Sequence, residues 1–236
     1  MKPILRIAFA VSGLLPVLLL FNNPPDPTLL PYSLFVLSVF QRRRAARLAR
    51  RIPLPPPGRL IVLMVASGLL TEVTAWAGEF LAGSTSPALL HPQLIPDLIL
   101  ASGLYAGWGI AWAIVLHYYR FSLREAFVTA GLFGVVIEQG GAVLLGSLGA
   151  FPSDPAGALY WLLFIFVVYG TIVGLAYVPV EKSLARRRRR NHWLKYPAVW
   201  LLMLIMGWIV GEFVAFAAGS FGLIPEPRSI QTHPLY

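Results

Sequence analysis

Four glutamates lie within long apolar segments of the sequence: Glu72, Glu79, Glu138 and Glu212. A charge at the centre of a bilayer costs about 3 kcal/mol on insertion scales, so such residues usually face the interior of a helix bundle and have a function. No Lys or Arg lies near them within these segments. We therefore expect at least one carboxyl to be protonated, in which form it can donate a hydrogen bond to a carbonyl or to another carboxylate. Two alternatives stay open: the glutamates form a functional carboxylate cluster, or they only hydrogen-bond neighbouring helices together, with Thr71, Thr74, Tyr169, Thr171 and Tyr177 as partners.

The spacing around these glutamates places them beside small residues. Three of them follow a glycine by one turn: Gly68 precedes Glu72, Gly134 precedes Glu138, and Gly207 precedes Glu212 with one extra residue. Residues four apart share a helix face, so these side chains should point to neighbouring helices rather than to lipid. From a rise of about 1.5 Å per residue, the carboxyls lie at the bilayer centre or outward of it. They could therefore converge in the outer half of a bundle.

The candidate site consists of the four glutamates with Gln139 and Trp76 beside them, and its secondary candidates are His91, Asp97 and Tyr169. His91 belongs to a connection that could fold over the outer mouth of the bundle towards Glu79. No HxxxH or ExxH spacing occurs in the sequence, so we predict no metal ligand set and assign no cofactor.

The elements that carry these residues are apolar helices. The chain is 57% hydrophobic and 12% charged, whereas soluble domains carry about a quarter charged residues. We predict an all-α integral membrane bundle of about seven transmembrane helices, because a spanning helix needs about 20 apolar residues. The helices are expected near 3–21, 28–40, 59–82, 96–119, 125–148, 156–180 and 197–218, in a single transmembrane domain. The second run is short and could span with help from snorkelling arginines.

The basic residues predict the orientation of the bundle. With seven crossings, every Lys and Arg except Arg228 falls on the side of the N-terminus, mostly in loops 41–58 and 181–196. The positive-inside rule then places the N-terminus in the cytoplasm and the tail 219–236 outside. The expected location is the bacterial cytoplasmic (inner) membrane. The first apolar segment is expected to be an uncleaved helix, since no small-residue cleavage site follows it.

Two arginine-rich clusters run from Arg42 to Arg51 and from Arg186 to Arg190. Near a membrane surface each basic residue contributes about 1 kcal/mol of attraction to anionic lipid headgroups, which we predict to be their partners. No aromatic platform or nucleic-acid motif accompanies them, so no nucleic acid is predicted as a partner. Small-residue faces such as Gly207-xxx-Gly211 predict tight helix packing and could also bind a membrane protein or a second copy.

One stretch of the sequence, 72–112, combines an intramembrane glutamate, a glycine-bearing outer loop and a helix that begins with proline. In this combination it looks like the membrane carotenoid hydratases. The likeness covers less than a fifth of the chain. It includes no decisive motif, and we carry no residue role over from that family.

Three functions remain open from the sequence. A transport-like site for a proton, a cation or a small substrate predicts a cavity reaching Glu72 and Glu138 and a helix break at Gln139-Gly140-Gly141. A membrane-embedded enzyme would use a glutamate as general acid on a lipid or isoprenoid, with Trp76 facing it. A non-catalytic assembly or accessory subunit predicts a closed, dry bundle. A search for GxSxG, Walker A, HExxH and GxGxxG patterns finds none in the sequence.

Overall fold

The computed structural model describes residues 3–184 and 192–236, and the regular elements in these two ranges are all helices. The second arginine cluster, 186–190, lies outside the described residues. The helices are α1 Pro3–Ser12, α2 Leu15–Leu19, α3 Leu30–Phe40, α4 Arg42–Ala49, α5 Pro56–Leu81, α6 Leu94–Tyr118, α7 Leu123–Ile137, α8 Ala142–Ala150, α9 Pro155–Tyr177, α10 Glu181–Leu184 and α11 Lys195–Ser220.

Five segments of the described chain are long and apolar enough to cross a membrane: α5, α6, α7 with α8, α9 and α11. The prediction of an all-helical membrane bundle is confirmed at this level. The first two of the seven predicted crossings correspond to shorter apolar helices, Pro3–Leu19 and Leu30–Phe40. The first of them is interrupted after Ser12, and Pro16 lies in the opening turn of the helix that follows.

Local sequence signals account for two helix starts. The Ser122 hydroxyl accepts a hydrogen bond from the Glu125 amide at 3.2 Å, and the Glu125 carboxylate accepts one from the Ser122 amide at 2.8 Å. This reciprocal capping box opens α7. Asp154 accepts a hydrogen bond from the Gly157 amide at 2.9 Å, and Pro155 follows it at the first position of α9.

Glycines let the long helices approach closely. A Cβ atom at Gly107 on α6 would lie 2.2 Å from the Met206 carbonyl of α11, and one at Gly170 on α9 would lie 2.8 Å from the Phe127 ring of α7. Gly207 meets the indole of Trp108 in the same way, at 2.8 Å. The small-residue faces predicted on these helices are therefore used in packing within this chain.

Basic side chains gather at one end of the bundle, which we call the basic end; it comprises α4, α10 and the starts of α5, α7 and α11. Arg42 and Glu181 form an ion pair there at 3.4 Å, and the buried Lys195 pairs with Glu125 at 2.5 Å. The opposite end, the loop end, comprises the connections 20–29, 82–93 and 151–154 and the tail 221–236.

The C-terminal tail folds back on the start of α6 at the loop end. The side-chain amide of Gln93 donates to the carbonyls of Arg228 and His233 at 2.9 and 3.0 Å, and Gln93 is fully buried. The backbone amide of Leu94 donates to the Pro234 carbonyl at 3.1 Å. These contacts hold the tail against the bundle.

Candidate functional site

A cavity of about 480 Å³ extends into the bundle from the loop end, between α5, the α7–α8 junction, α9 and the connection 20–29. Of the residues predicted for the site, its walls include Glu72, Glu79, Glu138, Gln139 and Tyr169. Three glutamates from two different helices therefore meet in one cavity, as their depth and spacing suggested.

Sequence reasoning missed several cavity residues. Asp26 adds a fourth carboxyl from the connection 20–29, where its Oδ1 accepts a hydrogen bond from the Thr28 amide at 2.9 Å. Tyr105 of α6 also lines the cavity, as do the rings of Trp161 and Phe164 on α9. Among the described residues that form the walls there is no Lys, Arg or His. The cavity is thus acidic and aromatic, without a basic side chain to neutralise its carboxyls.

Glu72 is held by a tyrosine from the next helix. The Tyr105 hydroxyl donates to Glu72 Oε1 at 2.5 Å. The same ring lies against Gly68, one turn before Glu72, where a Cβ atom would be 2.2 Å from the ring carbons. A glycine and a glutamate one turn apart thus hold one aromatic ring between α5 and α6, and we call this arrangement a glycine–glutamate clamp.

A second clamp holds Glu138. The Tyr169 hydroxyl of α9 donates to Glu138 Oε2, and the Tyr169 ring lies against Gly134, where a Cβ atom would be 2.2 Å away. The expectation that Tyr169 would be a hydrogen-bond partner of a glutamate is met here. Trp108 of α6 connects the clamps, since its ring centroid is 5.2 Å from that of Tyr105 and 5.5 Å from that of Tyr169.

The helix that carries Glu138 breaks at the cavity, where the glycine-rich sequence predicted it. α7 ends at Ile137, a short 3-10 turn follows from Glu138 to Gly141, and α8 resumes at Ala142. Gln139 has a φ of 50° and Gly140 and Gly141 have φ values of 67° and 91°. A left-handed conformation costs a non-glycine residue about 1–2 kcal/mol. A helix end also leaves its last carbonyls without intrahelical donors and carries partial negative charge.

Two of the predicted residues lie elsewhere. Glu212 is exposed on α11, beside the exposed rings of Phe213 and Phe216, and does not line the cavity. Trp76 turns to the loop end, where its indole N–H donates to the Pro92 carbonyl at 3.1 Å and its ring stacks on Phe80. Trp76 therefore braces the connection 82–93 rather than facing a glutamate.

His91 and Asp97 form a separate buried cap under the tail. The His91 amide donates to Asp97 Oδ1 at 3.0 Å, and the Gln93 amide donates to His91 Nδ1 at 3.1 Å. Since Nδ1 accepts, the ring proton is on Nε2, which donates to the Pro225 carbonyl at 3.1 Å. His91 does not reach Glu79, and no cluster of three or more His, Asp or Glu side chains in ranges 3–184 and 192–236 is arranged to hold a metal.

No protein-family model, curated protein or solved structure matches this chain. The possible chemistry therefore follows from the side chains that line the cavity. Its carboxyls can take up and release protons, or bind a cation through their oxygens. The aromatic faces of Trp161 and Phe164 can add cation–π attraction within about 6 Å of a ring. An anionic ligand would meet only repulsion from these side chains.

Proposed function

We propose that this chain is a multi-pass membrane protein with a transport-like site that binds a proton or a small cation in the carboxyl-lined cavity. One observation supports the proposal most strongly: an acidic cavity lies at the break of a membrane helix, and its described walls contain no basic side chain. Discontinuous helices in transporters supply unwound carbonyls and half-helix C-terminal ends that coordinate cations near the membrane centre.

The parts of the site have distinct contributions to cation binding. Each clamp satisfies one side of a glutamate with a tyrosine hydroxyl and leaves the other carboxyl oxygen for a ligand or a proton. The C-terminal end of α7 adds partial negative charge beside Glu138. Asp26 and Glu79 line the same cavity and would raise the local concentration of a cation.

The proposed topology has seven crossings with the basic end in the cytoplasm. Arg6 of α1 lies 5.6 Å from the centre of the Phe40 ring at the end of α3, whereas Thr28, before α3, is within reach of Thr74 near the end of α5. This path supports a crossing by α1 with α2 and a return by α3. The positive-inside rule then orients the cavity and the tail outward, in a cytoplasmic membrane.

A membrane-embedded enzyme that acts on a lipid or isoprenoid is the second candidate. The Tyr105 and Tyr169 hydroxyls beside glutamates and the rings of Trp161 and Phe164 in the cavity wall favour it, because such groups could bind an apolar substrate and deliver a proton. Trp76, expected to face the substrate, is directed elsewhere. This candidate therefore has less support than cation binding.

Proton and cation flux into proteoliposomes tests the proposal. A pH-sensitive dye inside the vesicles reports protons, and labelled sodium, potassium or methylammonium reports other cations, under an imposed membrane potential. Glu138→Gln and Glu72→Gln are expected to reduce the flux by about tenfold or more, because an amide lacks the negative charge, and an interaction with a charged group contributes about 1.5–3 kcal/mol, where about 1.4 kcal/mol is tenfold.

The matched control is Glu212→Gln, which removes another carboxyl of an apolar helix outside the cavity and should leave the flux unchanged. Circular dichroism and thermal unfolding establish that each variant is folded. Equal flux in folded Glu72→Gln, Glu138→Gln and unmodified protein would reject the proposal. So would protein-free vesicles that leak as fast as the reconstituted ones.

A further inference from the structure

A second cavity, a cleft of about 360 Å³, lies at the basic end between α4 and α10. It is separate from the carboxyl-lined cavity and has the opposite charge. Its walls carry the basic side chains Arg42, Arg43, Arg47, Arg50 and Lys182 and a single acidic one, Glu181. Five positive charges against one negative leave the cleft strongly cationic.

The arginines are arranged by the geometry of α4. Arg43, Arg47 and Arg50 recur at i, i+4 and i+7, so they share one face of the helix. Ala49, on another face, is buried and anchors α4 against the bundle. Arg42 bridges to Glu181 at 3.4 Å and ties α4 to α10. The guanidinium groups are therefore presented from a helix that is fixed in place.

Most of this charge has no protein partner. Glu181 pairs with Arg42, whereas the side chains of Arg43, Arg47, Arg50 and Lys182 make no hydrogen bond or ion pair with residues in ranges 3–184 and 192–236. Like charges held together on one face repel each other, and an anion between them removes that repulsion. Guanidinium groups match the oxygens of a phosphate in a bidentate geometry.

An apolar groove of about 400 Å³ lies next to the cleft and indicates the kind of phosphate compound. Pro179 lines both cavities, so the two adjoin. The groove runs between α3, α4, α5 and α9, and its walls include the side chains of Leu48, Leu63, Leu70 and Leu175. A soluble phosphate has no apolar part that could cover such a surface, whereas covering it with an acyl chain is favourable because apolar surface is removed from water.

We propose that the cleft and the groove together bind one anionic phospholipid, with its headgroup phosphate among the arginines of α4 and one acyl chain in the groove. The basic end lies at the termini of the membrane helices, which is the level of the headgroups. The site is independent of the acidic cavity and of whatever that cavity carries.

Lipid binding to the purified full-length chain tests this site. Native mass spectrometry in detergent, with phosphatidylglycerol titrated against phosphatidylcholine, reports the number and affinity of bound lipids. The double variant Arg47→Gln with Arg50→Gln is expected to bind phosphatidylglycerol about 30-fold more weakly, from about fivefold per basic residue. Phosphatidylcholine binding should be weak and should not change.

The matched control is the double variant Arg44→Gln with Arg51→Gln. It removes the same charge from the same segment, but neither residue lines the cleft or the groove. Its affinity for phosphatidylglycerol is expected to stay within about twofold of that of the unmodified chain. Charges outside the cleft do not touch the headgroup, and salt screens their attraction to it. An equal loss in both double variants would overturn the proposal in favour of diffuse attraction to any anionic surface.

A third experiment distinguishes a bound phospholipid from a bound soluble phosphate. Inorganic phosphate and glycerol phosphate are added at millimolar concentration against bound phosphatidylglycerol, and Leu63→Trp is introduced to fill the groove. Weaker lipid binding in Leu63→Trp, without displacement by the soluble phosphates, supports one bound phospholipid. Full displacement by inorganic phosphate with no effect of Leu63→Trp would overturn it and assign the cleft to a free anion.

Discussion

Two helix hairpins, the α5–α6 pair and the α7–α9 pair, hold a glutamate by the same side-chain contacts, but their backbones differ. In each, the first helix has a glycine and a glutamate four residues apart, and the second helix inserts a tyrosine between them. Tyr105 follows Glu72 by 33 residues, and Tyr169 follows Glu138 by 31. However, α5 continues through Glu72 to Leu81, whereas α7 ends immediately before Glu138.

This difference separates two ways of placing an acid in a membrane. At Glu72 the main chain is fully helical, so only side-chain oxygens would be open to the proposed cation. At Glu138 the helix has ended, and because carbonyls at a helix end lack intrahelical donors, main-chain oxygens would be available beside the carboxyl. The clamp fixes a carboxyl in either case. The break adds the polar backbone that a cation site uses, at the cost of left-handed φ angles.

The largest effect is expected from filling the glycine of either clamp. Gly68→Ala and Gly134→Ala would each put a Cβ atom 2.2 Å from a tyrosine ring, so the ring or the helix backbone would have to shift. Overpacking of this kind destabilises by about 1–3 kcal/mol. Thermal unfolding in detergent should show similar losses in both hairpins, because the clamps are alike. Gly146→Ala, where no atom lies within 4 Å, is the control and should lose nothing.

A smaller effect is expected from Tyr105→Phe and Tyr169→Phe, which remove only the hydroxyl that each glutamate accepts from. Hydrogen bonds between membrane helices contribute about 0.6 kcal/mol on average and up to about 1.7. Double-mutant cycles with Glu72→Gln and Glu138→Gln measure each interaction. A coupling present in one hairpin and missing in the other would break the equivalence of the clamps.

The smallest effect is expected at the residue that follows each glutamate, and it should have opposite signs in the two hairpins. Gln139→Gly relieves a left-handed conformation worth about 1–2 kcal/mol but adds about 0.5–1 kcal/mol of chain entropy to the unfolded state. The net gain is then between zero and about 1.5 kcal/mol. Val73→Gly lies inside the unbroken α5 and should lose at least about 0.5 kcal/mol. Chemical denaturation of both variants measures the sign of each change in the free energy of unfolding. A decrease in both variants would show that the helix break is not strained.

Local pattern predicted the parts of the site that depend on one helix. The glycines one turn before Glu72 and Glu138 and the break at Gln139 both follow from neighbouring residues. Tyr105 and Asp26 could not be identified in this way. They reach the cavity through contacts between elements that are far apart in the sequence, and no short spacing marks such contacts.

Glu212 shows that one extra residue after the glycine changes the direction in which a glutamate faces. Glu72 and Glu138 follow their glycines by four positions, which is a rotation of about 40° around the helix. Glu212 follows Gly207 by five, which is about 140°. Since Gly207 faces Trp108 of α6, Glu212 is turned to the exposed side of α11. Glu212 therefore lies outside the cavity that Glu72, Glu79 and Glu138 line.

The position of Trp108 has a consequence for how the two hairpins respond to each other. Its indole is 2% exposed and touches the rings of both clamp tyrosines. Because the indole lies between the two tyrosine rings, a displacement of Tyr105 changes the surface against which Tyr169 packs. Two acids from separate stretches of the chain are thereby connected through a continuous row of packed aromatic rings. If the glutamates bind a cation as we propose, binding at one would affect the other through three aromatic side chains in edge and tilted contact rather than through a moving helix.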